Sequence, residues 1–91
     1  MSPATRTVTV GSRVGLHARP ASLFVQAVVA SGHTVTITTA NGDTADGASI
    51  LSVLALGVSH GTSIELSVEG DDADIVADQL TALLASDLDS V

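Results

Sequence analysis

Three stretches of the chain alternate polar and apolar residues, and this alternation restricts the fold more than any other feature. Arg6-Thr7-Val8-Thr9-Val10, His33 through Thr39, and the segment after Gly61-Thr62 with Ile64, Leu66 and Val68 each carry apolar side chains on one face only. A period of two with a single apolar face describes a strand buried on one side and wetted on the other, the pattern of antiparallel sheets. A parallel sheet covered on both faces needs nearly continuous apolar strands, and the sequence has none.

Helical periodicity fills the gaps. Ala21, Phe24, Val25 and Val28 stand at i, i+3, i+4 and i+7, which predicts a helix over about Pro20 to Ala30, stopped by Ser31-Gly32. Leu23, Ala27 and Val29 fall off that stripe, so the outer side is expected to be unusually apolar and suited to a partner. Asn41-Gly42 is a hairpin signal supplying the positive φ of a primed turn, and Asp43-Thr44-Ala45-Asp46 reads as a brief returning edge strand. Ser49 is placed to cap a short second helix, Ile50 to Leu54, closed by Gly57. In so short a helix Ile50, Leu51 and Leu54 cannot all be buried, and an exposed patch is expected. Gly70-Asp71-Asp72 forms a turn and cap, with acids where the dipole favours them. The last helix follows over about Asp72 to Ala85, with Val76, Leu80, Leu83, Leu84 and Ala73 inward. The order βαββαβα gives an α+β chain: one two-layer domain over residues 1–91, a four-stranded antiparallel sheet with three helices on one face.

Charge removes whole classes of function. Ten acids against three arginines and no lysine give a net charge of −7. Binding a phosphate backbone depends on clustered positive charge, and base stacking on aromatics, of which Phe24 is the single example. Nucleic acid is therefore not an expected partner. No apolar run approaches the ~18 residues of a membrane span, the N-terminus does not read as a signal peptide, and without cysteine neither disulfides nor thiolate metal sites arise. The cytoplasm is the expected compartment. All three arginines fall within the first nineteen positions, which predicts a less negative end that includes His17.

The chemistry concentrates in Gly15-Leu16-His17-Ala18-Arg19-Pro20-Ala21-Ser22. Pro20 is suited to the first helical position, which puts His17 in the turn at a helix N-terminus. Backbone amides such as those of Ala18 and Arg19 and the positive end of the helix dipole there favour an anion, a phosphoryl group above all. Arg19 offers a planar fork of donors to phosphate oxygens, and a neutral imidazole nitrogen is free to attack phosphorus. By itself, a surface histidine beside an arginine is commonly no more than a polar turn.

The whole string Gly-Leu-His-Ala-Arg-Pro-Ala closely resembles the phosphorylation-site motif of HPr, the histidine-containing phosphocarrier family of the bacterial phosphoenolpyruvate-dependent sugar phosphotransferase system. The resemblance runs over nearly the whole chain: Asn41-Gly42 falls at the family's hairpin, Ala48 through Val58 look like its regulatory-serine segment, and Gly70-Asp71-Asp72 matches its turn into the final helix. It implies the open-faced sandwich already read from the pattern. It further implies that His17 accepts a phosphoryl group on Nδ1 from phosphorylated enzyme I and passes it to EIIA-type domains, with no metal or cofactor. Arg19 would stabilise the phosphate, and Leu23, Ile50, Leu51 and Leu54 would meet partners. Ser49 matches the family position that a serine kinase modifies in many Gram-positive bacteria. Where members often carry lysines on the first helix, this chain has Gln26 and Val29, and its hairpin is one residue longer around Thr39-Ala40.

Other readings stand beside this one. A metal site built from His17, His33 and His60 lacks ligand spacing, and a hydrolase using Ser22 or Ser12 lacks a nucleophile elbow. A regulatory binding module would need Ser49 and the apolar patch but not His17. A nitrogen-related or dihydroxyacetone-kinase relay would keep the chemistry and change the pathway.

Overall fold

A computed structural model describes residues 3–11, 15–16 and 18–86. Four strands and three helices follow in the order β1 (Ala4–Thr9), α1 (Ala18–Ser31), β2 (Thr34–Thr39), β3 (Thr44–Asp46), α2 (Ile50–Ala55), β4 (Ser63–Glu69) and α3 (Ala73–Ala85). The sheet order is β1-β4-β2-β3 with every pairing antiparallel, as the alternation requires. Register matches the pleat. Ala4 and Val35 both pair with Val68, and Ile37 with Leu66, so each apolar side chain lands on the helix-covered face. On the bare face Thr5, Ser67, Thr36 and Asp46 form one cross-strand row, and Thr7, Glu65, Thr38 and Thr44 the next.

Phe24, Ile37, Leu66, Val68, Val53 and Ala77 are fully buried at the centre of the core. In α1 the inward residues are Pro20, Ala21, Phe24 and Val28. Val25 and Ala27 are half-buried against the same core, so Ala27 does not belong to an apolar outer surface; of the residues off the stripe, Val29 is the strongly exposed one, at 63%. In α3 Ala77 joins Val76, Leu80 and Leu84 inside, whereas Leu83 is half-buried. An alanine carries too little hydrophobic signal to be picked out by pattern, yet only a small side chain lets helices approach closely.

Four local expectations are corrected. β1 starts two residues earlier, at Ala4. The 39–43 connection is not a primed two-residue turn. Gly42 N–H donates to the Thr39 carbonyl at 3.0 Å, and Gly42 has φ +89° while Asn41 stays at negative φ. This is a four-residue turn closed by a left-handed glycine, the longer hairpin class in which Gly42 rather than Asn41 supplies the special conformation. Asp72 stands before α3 with φ +57° and makes no side-chain cap, so its contribution there is charge near the dipole rather than a hydrogen bond. Arg6, finally, does not lighten the charge around the site. It points from the edge strand β1 toward α3, where Nε donates to Asp78 at 2.9 Å and Nη2 to Asp74 at 3.2 Å. Those two carboxylates, Asp78 foremost, raise the Arg6 pKa further. An inward-pointing charge on an edge strand also discourages a second sheet from adding there. Arg13 lies outside the described residues.

Candidate functional site

The string Gly15–Ser22 straddles the entrance to α1. Its approach is fixed by close backbone contact. Leu16 is buried and its N–H donates to the Val58 carbonyl at 2.9 Å. Gly15 has φ +73°, and a Cβ there would stand 2.2 Å from the Val58 oxygen. The chain can lie on Val58–Ser59 only because residue 15 has no side chain. Earlier, Gly11 N–H donates to the Leu84 carbonyl at 2.9 Å, and a Cβ on Gly11 would come within 1.9 Å of the Ala85 oxygen. Gly11 thus sits against the end of α3, and Gly15 against the loop after α2.

His17, like Ser12, lies outside the described residues. Ala18 and Arg19, the next two positions, are the first two residues of α1, and both are exposed. The helix begins two residues earlier than expected, which makes Pro20 its third residue rather than its first. The first-turn argument survives, because amides of that turn have no intrahelical partner and a proline forfeits nothing there. Ser22 is half-buried in α1 and its Oγ accepts from Gln26 Nε2 at 3.0 Å, one turn on.

Ser49 caps α2 as expected. Its backbone is extended, its Oγ accepts from Ser52 N–H at 3.3 Å and its carbonyl accepts from Val53 N–H at 3.0 Å. The turn that delivers it is built by Asp46, whose Oδ1 accepts from Ala48 N–H at 3.0 Å while its carbonyl accepts from Ser49 N–H. Only Val53 of α2 is buried. Leu51 is 77% exposed and Leu54 36%, whereas Ile50 packs partly into the core and Leu23 is half-buried. The expected apolar patch therefore shrinks to Leu51 and Leu54. A six-residue helix lying flat turns one side down, and Ile50 shares that side with Val53.

His33 and His60 belong to separate turns, the first at the end of α1 and the second in the loop between α2 and β4. Among the described residues no three histidine or carboxylate side chains gather as a metal would need. A shallow concavity lined by Thr7, Thr38, Ser63 and Glu65 opens at the bare face of the sheet, away from the helix layer. No helix among the described residues is long and apolar enough to cross a membrane.

The family model described as "PTS HPr component phosphorylation site" matches residues 4–86. The phosphocarrier protein HPr of Streptomyces coelicolor is 43% identical over 88 residues, covering 97% of this chain and 95% of that protein. The chain belongs to the HPr phosphocarrier family. An HPr of Haloferax volcanii is 44% identical over 82 residues, 89% of this chain and 92% of the relative. The fold agrees as well: an HPr crystal structure from Bacillus anthracis superposes with a TM-score of 0.86 at 31% identity, over 92% of this chain and 99% of that one. Membership makes the protein a phosphocarrier of the phosphotransferase system. Against that background the seats of Gly11 and Gly15 are what pattern reasoning missed. Gly15 stood inside the HPr-like string with no turn role of its own, and a glycine without a turn to make is the signal of close backbone approach.

Proposed function

We propose that His17 is the residue that carries the phosphoryl group. Its Nδ1 attacks the phosphorus of phosphorylated enzyme I; the new N–P bond forms as the donor's bond breaks, and the donor's nitrogen leaves with its electron pair. The reverse geometry then delivers the group to a histidine or cysteine of an EIIA-type domain. The single observation that carries this reading is that the HPr-like string ends on the first turn of α1, with Ala18 and Arg19 exposed beside residue 17. A helix N-terminus and a guanidinium stabilise the charge spread over transferring phosphoryl oxygens, and positioning supplies the rest. One exposed arginine suits a carrier, because the group must also be released.

Partner contact is assigned to the face around Leu23, Ile50, Leu51 and Leu54, with Leu51 and Leu54 offering the exposed apolar area. α1 and α2 carry one charged residue between them, Arg19, so contact there rests on apolar burial more than on charge steering. Phosphorylation of Ser49 by a serine kinase would be tolerated at a helix N-terminus and would place about −2 charge beside that face. The protein works as one domain over residues 1–91, in the cytoplasm.

Incubation with phosphoenolpyruvate and enzyme I, followed by a panel of EIIA-type domains, tests the proposal. One acid-labile, base-stable phosphate that moves on to an acceptor is expected. Arg19→Ala is expected to slow transfer roughly tenfold or more, since a hydrogen bond to a charged group contributes about 1.5–3 kcal/mol. A protein that binds these partners but takes no phosphate would be a regulatory module instead.

A further inference from the structure

The far end of α1 holds a second histidine in an unusual position. His33 Nδ1 lies 2.7 Å from the Ser31 carbonyl oxygen, and Nε2 lies 2.5 Å from the carbonyl oxygen of Asp71, in the turn that leads into α3. We propose that His33 is a proton-dependent fastener, joining the end of α1 to the β4–α3 turn when its ring carries two protons and releasing one side when it carries one.

A carbonyl oxygen can only accept, so each ring nitrogen must donate to satisfy both contacts. Only the imidazolium has two N–H groups. A neutral ring keeps one bond and turns a lone pair toward the other oxygen. The ring rests on Gly70, where the missing side chain leaves room for it. That residue has φ +134°, and a Cβ there would stand 2.7 Å from His33 Cδ2. The backbone beneath is tied independently of the ring. Ser31 Oγ donates to the Val28 carbonyl at 2.6 Å and accepts from His33 N–H at 3.2 Å. Loss of the Nε2 proton ends the bond to Asp71, the one that crosses between elements, while the Ser31 turn stays tied.

The charges facing His33 are of one sign. Asp71 and Asp72 stand in the turn itself, and Glu69, at the end of β4, pairs in register with Thr34. β2 contributes no charged side chain, and the one charged residue of α1, Arg19, is at its opposite end. The two carbonyl hydrogen bonds, Asp71 before Ser31, raise the His33 pKa above its ordinary value; burial opposes them, and the Asp71 and Asp72 charges assist. A histidine with a raised folded pKa contributes stability that is fully present below the unfolded value of about 6.5 and lost as pH rises through the folded one. Nothing in this device involves residue 17 or Arg19, so it stands or falls separately from phosphoryl transfer.

An NMR titration of the natural chain from about pH 5 to about pH 9 reads the fastener directly. The expected result is a His33 ring midpoint above the ordinary histidine value, with the amides of residues 31–34 and 70–73 shifting at that same midpoint. A midpoint at or below the ordinary value, or turn amides that ignore the titration, would overturn it. Melting temperatures of the natural chain and His33→Gln give a second reading: their difference is expected to shrink as pH rises across that range. A difference that stays constant contradicts the proposal, and if the variant does not fold the ring titration decides alone.

Discussion

The two ends of α1 are built for different tasks. At its start, Ala18 and Arg19 are exposed, and the chain just before them is seated by the buried Leu16 side chain and by backbone contact, Gly15 and Leu16 lying on Val58–Ser59. At its finish, Ser31 and His33 bind the helix by side chains to its own last turn and to the turn before α3. Between them Phe24 and Val28 anchor the helix in the core. One end thus leaves Ala18 and Arg19 exposed, and the other is fastened by side-chain hydrogen bonds to a neighbouring turn. A transfer site would gain from such a division, since the fastened end resists displacement while exposed first-turn residues can meet a partner.

Phe24→Ala should have the largest effect and should not discriminate between the ends. It removes a fully buried aromatic ring, and about 3–5 kcal/mol of stability is expected to go with it, measured by denaturant unfolding. Against a typical total of about 5–15 kcal/mol, the variant should be marginal. Gly15→Ala strikes the open end alone. The strained φ and the clash with Val58 should cost about 1–3 kcal/mol and slow phosphoryl transfer, while hydrogen exchange at residues 31–34 stays unchanged. Disturbance of both ends by this variant would break the comparison. Ser49→Ala is the mildest, removing one capping bond for about 1 kcal/mol, visible as faster exchange of the Ser52 and Val53 amides with α1 unaffected.

Strand alternation made the sheet, its antiparallel pairing and its buried face readable in the sequence. The register of Val35 and Ile37 against Val68 and Leu66 follows from that pattern because a slip by one residue would expose the whole apolar set. What stayed hidden depended on contacts between distant segments. Arg6 looked like part of a less negative site until α3 supplied Asp74 and Asp78, 68 and 72 residues away in sequence. His33 read only as the first residue of an alternating strand, since its bond to Asp71 spans 38 residues. Ile50 and Leu51 are neighbours of equal hydrophobicity, and only the seating of α2 decides which one faces solvent. At the candidate site the family-like string from Gly15 to Ser22 and the helix it enters were legible, while the reason for Gly15 was not.

The chain has three histidines that could carry a phosphate, and His17 is the proposed carrier. Peptide mapping by mass spectrometry, performed under alkaline conditions after reaction with phosphoenolpyruvate and enzyme I, decides the matter. A single phosphate on His17 is expected, absent from a folded His17→Ala variant. Phosphate on His33 or His60, or undiminished labelling of that variant, would contradict it.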